Sequence, residues 1–96
     1  MALRVVAHLQ AQPDKADELR ALLEGLVAPT HQETGCISYE LLEGLDDPAK
    51  FTFVEEWASE EALQAHLGTE HIQNAIARFP DLLAGDLDLR TYRLVR

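Results

Sequence analysis

Two histidines and the only tryptophan of the chain fall within one stretch, Glu55 to His71. Histidine is the side chain that titrates nearest to neutrality, and His66 lies beside the apolar anchors Leu63 and Leu67. Trp57, Phe53 and Tyr39 add flat apolar surface and one hydroxyl. Together these residue types suit an apolar cleft for a flat aromatic molecule, with a few polar groups to orient it. His71 and Asn74 would lie near its mouth. The same residues also read as ordinary core: aromatics on one strand face, and a histidine satisfied by its neighbours.

Other chemistries find little support. There is no Gly-rich phosphate loop, no Gly-x-Ser-x-Gly elbow and no His-x-x-x-His or His-Glu-x-x-His pair among the four histidines. His66 and His71 are separated by the break at Gly68-Thr69, so no ligand geometry follows from their spacing and no metal site is expected. Cys36, the lone cysteine, reads as a small half-buried side chain.

The elements that must position these groups follow from periodicity. Leu3–Gln10 alternates as a strand, with Val5, Ala7 and Leu9 on one face. A helix starts at Pro13-Asp14-Lys15-Ala16-Asp17, where Asp14 is the expected cap. Leu19, Leu22, Leu23, Leu26 and Val27 form its apolar stripe. Pro29 predicts a bend or an early end, since its ring clashes with the carbonyl of Gly25. Gly35 stops the segment.

Cys36–Gly44 is a second strand, with Ile37, Tyr39 and Leu41 on the helix side. A turn at Asp46–Ala49 leads to a third strand, Phe51–Trp57, in which Phe51, Phe53, Glu55 and Trp57 share a face. Ser59 caps a short helix that breaks at Gly68-Thr69. A further amphipathic turn or two carries Ile72, Ala75, Ile76 and Phe79 and stops before Pro80. The last strand spans Leu87 to Leu94.

The order is β-α-β-β-α-β with a split second helix. It predicts an α+β, ferredoxin-like fold with one helix-covered sheet face. The other face carries Val6, Leu42 and Val54, and such a patch predicts a homodimer packed sheet to sheet.

The 96 residues make one domain, 1–96. A net charge of −9 excludes a nucleic-acid footprint and disfavours an anionic membrane surface. No apolar run approaches the roughly 20 residues of a membrane span. Met1-Ala2-Leu3-Arg4 lacks the pattern of a secretory leader, and one cysteine fits a reducing cytoplasm.

The chain resembles the antibiotic biosynthesis monooxygenase (ABM) family, small dimeric α+β barrels. The resemblance rests on Val5-Val6-Ala7, Pro13 with Lys15 and Glu18, Gly35 through Leu41, Glu55-Glu56-Trp57-Ala58-Ser59, Ala65-His66-Leu67 and His71. The last segments are most similar to the quinol monooxygenase branch. Where haem-degrading relatives carry Asn, Trp and His, this chain has Ala7, His66 and Ile76, so haem degradation is not implied. Of the anthrone-oxygenase set only Trp57 is retained; Phe53, Leu63 and Ala77 stand at the other places.

The resemblance implies a monooxygenase that needs neither flavin nor metal, acting with O₂ on a quinol- or anthrone-type aromatic. In that reading His66 is the proton acceptor and Tyr39 hydrogen-bonds a substrate oxygen. Trp57 and Phe53 pack the ring, with Leu63 and Asn74 beside it, and His71 is the second candidate for proton transfer. Two other readings share the fold: a non-catalytic dimeric small-molecule-binding or stress accessory module, and an isomerase or dehydratase using His66 and Tyr39 without oxygen.

Overall fold

The computed structural model describes residues 2–96; Met1, the first residue of the predicted domain and of the segment Met1-Ala2-Leu3-Arg4, lies outside them. Seven elements follow in order: β1 (Leu3–Gln10), α1 (Ala16–His31), β2 (Cys36–Glu43), β3 (Lys50–Trp57), α2 (Glu60–Leu67), α3 (Glu70–Leu82) and β4 (Asp88–Tyr92). The strands form one antiparallel sheet in the order β2-β3-β1-β4. This is the ferredoxin-like arrangement expected from the element order, with the second helix split.

Alternation decides which side chains enter the core. Val5, Ala7 and Leu9 of β1 and Phe51, Phe53, Glu55 and Trp57 of β3 are all buried under the helices. Leu19, Leu23 and Leu26 of α1 close over them, as do Ile72, Ala75 and Leu82 of α3. On the opposite face Val6 and Val54 are half-buried, paired in register across β1 and β3, and Leu42 is exposed. No helix among the described residues is long and apolar enough to cross a membrane.

Four local expectations are corrected. Helix α1 begins at Ala16 with Lys15 in the cap position and no side-chain cap bond, so Asp14 does not cap it. A backbone bond from Lys15 N–H to Gln12 O (2.9 Å) closes the preceding turn instead. Pro29 does not end α1, which runs on to His31. Gly25, whose carbonyl loses its partner, is on the exposed side where water can replace it.

Pro80 likewise lies inside α3, in its last turn, rather than beyond its end. Finally, Ile37 does not face the helices; it is 55% exposed. Cys36 pairs with Trp57 and Ser38 with Glu56, so Ile37 is the extra residue of a β-bulge. The bulge puts Cys36 on the same side as Tyr39, against the core.

Gly35 fixes how the α1–β2 connection meets α2. Its φ is +87°, a conformation that side chains with a Cβ rarely adopt. A Cβ there would also sit 2.5 Å from that of Ala62. Gly35 O accepts from Ala58 N–H at 2.8 Å. The connection therefore lies directly on α2 at Ala62, one turn before His66 on the same helix face.

Candidate active site

Strand β3 supplies the floor. Its inward face presents Phe53, Glu55 and Trp57 in succession, and Tyr39 of β2 stands opposite Glu55 in register. Tyr39 and Phe53 stack with ring centroids 4.7 Å apart. Helix α2, capped where Ser59 Oγ accepts from Ala62 N–H (3.1 Å), lays the His66 imidazole over the Trp57 indole at 4.5 Å. The Tyr39 ring meets the same imidazole edge-on at 5.5 Å.

His66 is only 3% exposed, and its two nitrogens have different surroundings. Nδ1–H donates to the Glu33 carboxylate, 2.9 Å from Oε2 and 3.1 Å from Oε1. A carboxylate only accepts, so the proton is on Nδ1 and Nε2 of the neutral ring carries the lone pair. No hydrogen bond among the described residues engages Nε2, and no buried side-chain nitrogen or oxygen is without a partner. Nε2 is therefore open to the adjoining space. Burial holds the His66 pKa below the usual histidine value, against the raising effect of Glu33.

Glu33 serves a second histidine. His71 Nε2–H donates to Glu33 Oε2 at 2.7 Å, with the Thr30 and Thr69 hydroxyls 3.3 and 3.4 Å from the same nitrogen. Thr69 Oγ–H also donates to the His66 carbonyl at 2.7 Å, tying the restart of the split helix to the residue it flanks. One donor atom each from Glu33, His66 and His71 lies within 4.8 Å of the others, so these are the residues that could hold a divalent cation.

On the other side of the imidazole lies a cavity of about 50 Å³. Its walls are largely apolar: Ala7, Leu9, Leu26, Phe53, Leu67, Ile72, Ala75, Ile76, Phe79, Leu87 and Leu89, with Tyr39, Glu55 and His66 as the polar members. That space accepts dioxygen or a few waters. An aromatic ring needs the rim to yield. Ile76, Phe79 and Leu87 line both this cavity and a groove on the outer surface.

Glu55 is the unexpected member. It is 4% exposed and has no basic partner among the described residues. Trp57 Nε1–H donates to its Oε1 at 2.8 Å. Burial raises its pKa to about 7; the indole bond opposes this and the Glu33 charge adds to it. The Tyr39 pKa is raised too, first by burial and then by Glu55.

The structure thus brings Tyr39, Phe53 and His66 to one cavity and places the other sequence-derived candidates elsewhere. Trp57 is fully buried beneath His66, behind the wall. Leu63 lies one turn before His66 and borders a separate groove with Leu3 and Tyr92. Asn74 is exposed, off the Ile72–Ala75–Leu82 stripe that α3 buries. His71 does not line the cavity; it bonds Glu33, and its ring lies 6.2 Å from that of His66.

Sequence reasoning missed Glu33 and Glu55 as site residues. Glu55 had a signal, an acidic residue alternating with Phe53 and Trp57 on an apolar face. Glu33 had none, since only the turn at Gly35 brings it to α2.

A small antiparallel α+β domain, with a carboxylate-held histidine beside a mostly apolar cavity, is the class of protein that fold and site define. The family profile described as "Antibiotic biosynthesis monooxygenase" matches residues 2–78, and the chain belongs to that family.

Rv0793 of Mycobacterium tuberculosis, named "Putative monooxygenase", is 38% identical over 79 residues, 82% of this chain and 77% of that protein. Its solved structure matches with a TM-score of 0.94 at 31% identity, covering 100% of this chain and 97% of that one. YcnE of Bacillus subtilis bears the same description and is 30% identical over 83 residues, 86% of this chain and 87% of that protein. An uncharacterised protein of Synechocystis, sll1783, is 32% identical over 90 residues, 94% of this chain; the chain spans 61% of that relative's length.

Proposed function

We propose that the protein is a monooxygenase that uses O₂ to oxidise a quinol- or anthrone-type aromatic, with His66 as the base. The observation that carries this reading is the divided imidazole: Nδ1–H is held by Glu33, and Nε2 is open to a largely apolar cavity. A neutral imidazole accepts the phenolic proton at Nε2, and the Glu33 carboxylate stabilises the imidazolium that results. The substrate anion passes one electron to O₂. The ring radical and superoxide then couple, forming a carbon–oxygen bond and a ring peroxide. Water exclusion by the apolar walls protects the anion from reprotonation by solvent.

In this reading Tyr39, kept protonated by burial, donates to a substrate oxygen, and Phe53, stacked on it, packs against the ring. Substrate reaches the site when Ile76, Phe79 and Leu87 swing outward. A second copy of the chain packed on the Val6, Val54 and Leu42 face completes this reading as a homodimer. The single thiol suits work in the cytoplasm.

Oxygen uptake by the metal-stripped protein, with a panel of hydroquinones and anthrones, tests the reading. Uptake above auto-oxidation that collapses in His66→Ala is expected. Turnover of the same compounds without oxygen consumption would instead point to an isomerase or dehydratase using the same groups.

A further inference from the structure

Formation of the ring peroxide leaves a second half-reaction that His66 cannot complete alone. The carbon–hydrogen bond at the oxygenated carbon must lose its proton, and its electron pair forms the new C=O bond. At the same moment the O–O bond breaks, and the departing oxygen leaves with its electron pair and needs a proton to become water. One group must accept a proton while another donates one. His66, having returned its first proton to the peroxide, is again the acceptor. The donor must be a second, protonated group on the same cavity.

We infer that Glu55 is this donor, delivering its proton from Oε2 to the leaving oxygen while Trp57 holds Oε1. The inference rests on the proposed oxygenation. Its geometric basis is specific. Glu55 lies on the cavity wall with His66, 4% exposed. Oε1 is occupied by Trp57 Nε1–H at 2.8 Å, while Oε2 makes no hydrogen bond among the described residues and is not a buried atom lacking a partner. Oε2 is therefore the oxygen that meets the open space.

The groups around Glu55 favour its acid form. Across β2 stands Tyr39, which is not a cation, and across β1 stands Val5. Glu33 adds negative charge, and His66 is held neutral by burial. With a pKa of about 7, Glu55 keeps a substantial acid fraction at neutral pH. The reaction balances: quinol plus O₂ gives the hydroxylated quinone plus water. The proton taken from carbon by His66 replaces the one that Glu55 gave up.

Two readouts test this, one of them independent of turnover. Trp57 is the only tryptophan and is bonded to Glu55, so its fluorescence reports the ionisation of that carboxyl. A transition near pH 7 is expected in the ligand-free protein, absent in Glu55→Gln, whose amide oxygen still accepts from the indole. A flat titration in the native chain, or the same transition in the variant, would overturn the assignment. With a substrate that the native protein oxygenates, Glu55→Gln should release hydrogen peroxide and lose product by roughly tenfold or more. Glu55→Asp should restore part of the coupling.

Product formation by Glu55→Gln at the native rate with no peroxide would contradict the donor role. If the native protein consumes no oxygen with any substrate, the oxygenation reading fails and the donor role falls with it. The fluorescence titration would then still decide whether Glu55 is a neutral acid.

Discussion

The two sides of the His66 ring are built differently. The Nδ1 side is closed by Glu33, which is itself fixed by His71, with Thr30 and Thr69 alongside, in contacts of 2.7 to 3.4 Å. The Nε2 side opens on a largely apolar space whose two acidic members, Glu55 and Tyr39, have pKa values raised mainly by burial. The first side fixes orientation and tautomer; the second leaves a lone pair unsatisfied where chemistry can use it. The asymmetry is the observation on which the proposed role of His66 as base rests.

Removing the ring ends the comparison and has the largest effect. His66→Ala should lower oxygen uptake roughly 10²- to 10⁴-fold, the range that a general base contributes.

The acidic group on the open side can be weighed through stability. The folded pKa of Glu55, about 7, is above its unfolded value, so the folded chain binds more protons between those pH values and stability falls as pH rises through 7. The whole shift corresponds to about 3 kcal/mol. His66 acts in the other direction, since its lowered pKa withdraws stability as pH falls below about 6.5. Denaturant titrations from pH 4 to 9 should therefore show Glu55→Gln removing the decline that runs from acid pH up to about pH 7, so that the His66 loss on acidification stands alone.

Glu33→Gln tests the closed side. The amide keeps the shape but not the charge that supports the imidazolium, and activity should fall roughly ten- to a hundredfold without loss of folded protein by circular dichroism. Gly35→Ala acts on the same side through the backbone. A positive φ and a contact with Ala62 both oppose the new Cβ, which predicts a loss of about 2 kcal/mol in unfolding free energy. At the small end, Asn74→Ala touches neither side and should change stability by less than about 0.5 kcal/mol, with uptake unchanged.

These contrasts also mark what the sequence makes legible. Period-two alternation in β1 and β3 and the stripe of α1 lead directly to the ferredoxin-like order, because each burial face repeats over several residues. Ser59 as a cap and the break at Gly68 are local chemistry and stand as read. Ile37 defeats the alternation because a bulge inserts one residue, and no composition signal marks it. Pro29 and Pro80 each leave a helix intact near its last turn, where a freed carbonyl costs little. Tyr39 and His66 stand out in the sequence because they interrupt apolar faces, and both line the cavity. Glu33 is invisible since its partners are 33 and 38 positions away. Only the close approach at Gly35 makes it a neighbour.

Everything proposed for His66 depends on Glu33 holding it as a neutral ring with a bare Nε2 toward the cavity. Long-range proton–nitrogen NMR correlation of the His66 ring, with the protein labelled at its histidines, measures this directly. At pH 7 the native chain should show protonated Nδ1 and unprotonated Nε2, and Glu33→Gln should relax this to a mixture of tautomers. A proton found on Nε2 in the native chain, or a doubly protonated ring at that pH, would contradict the account.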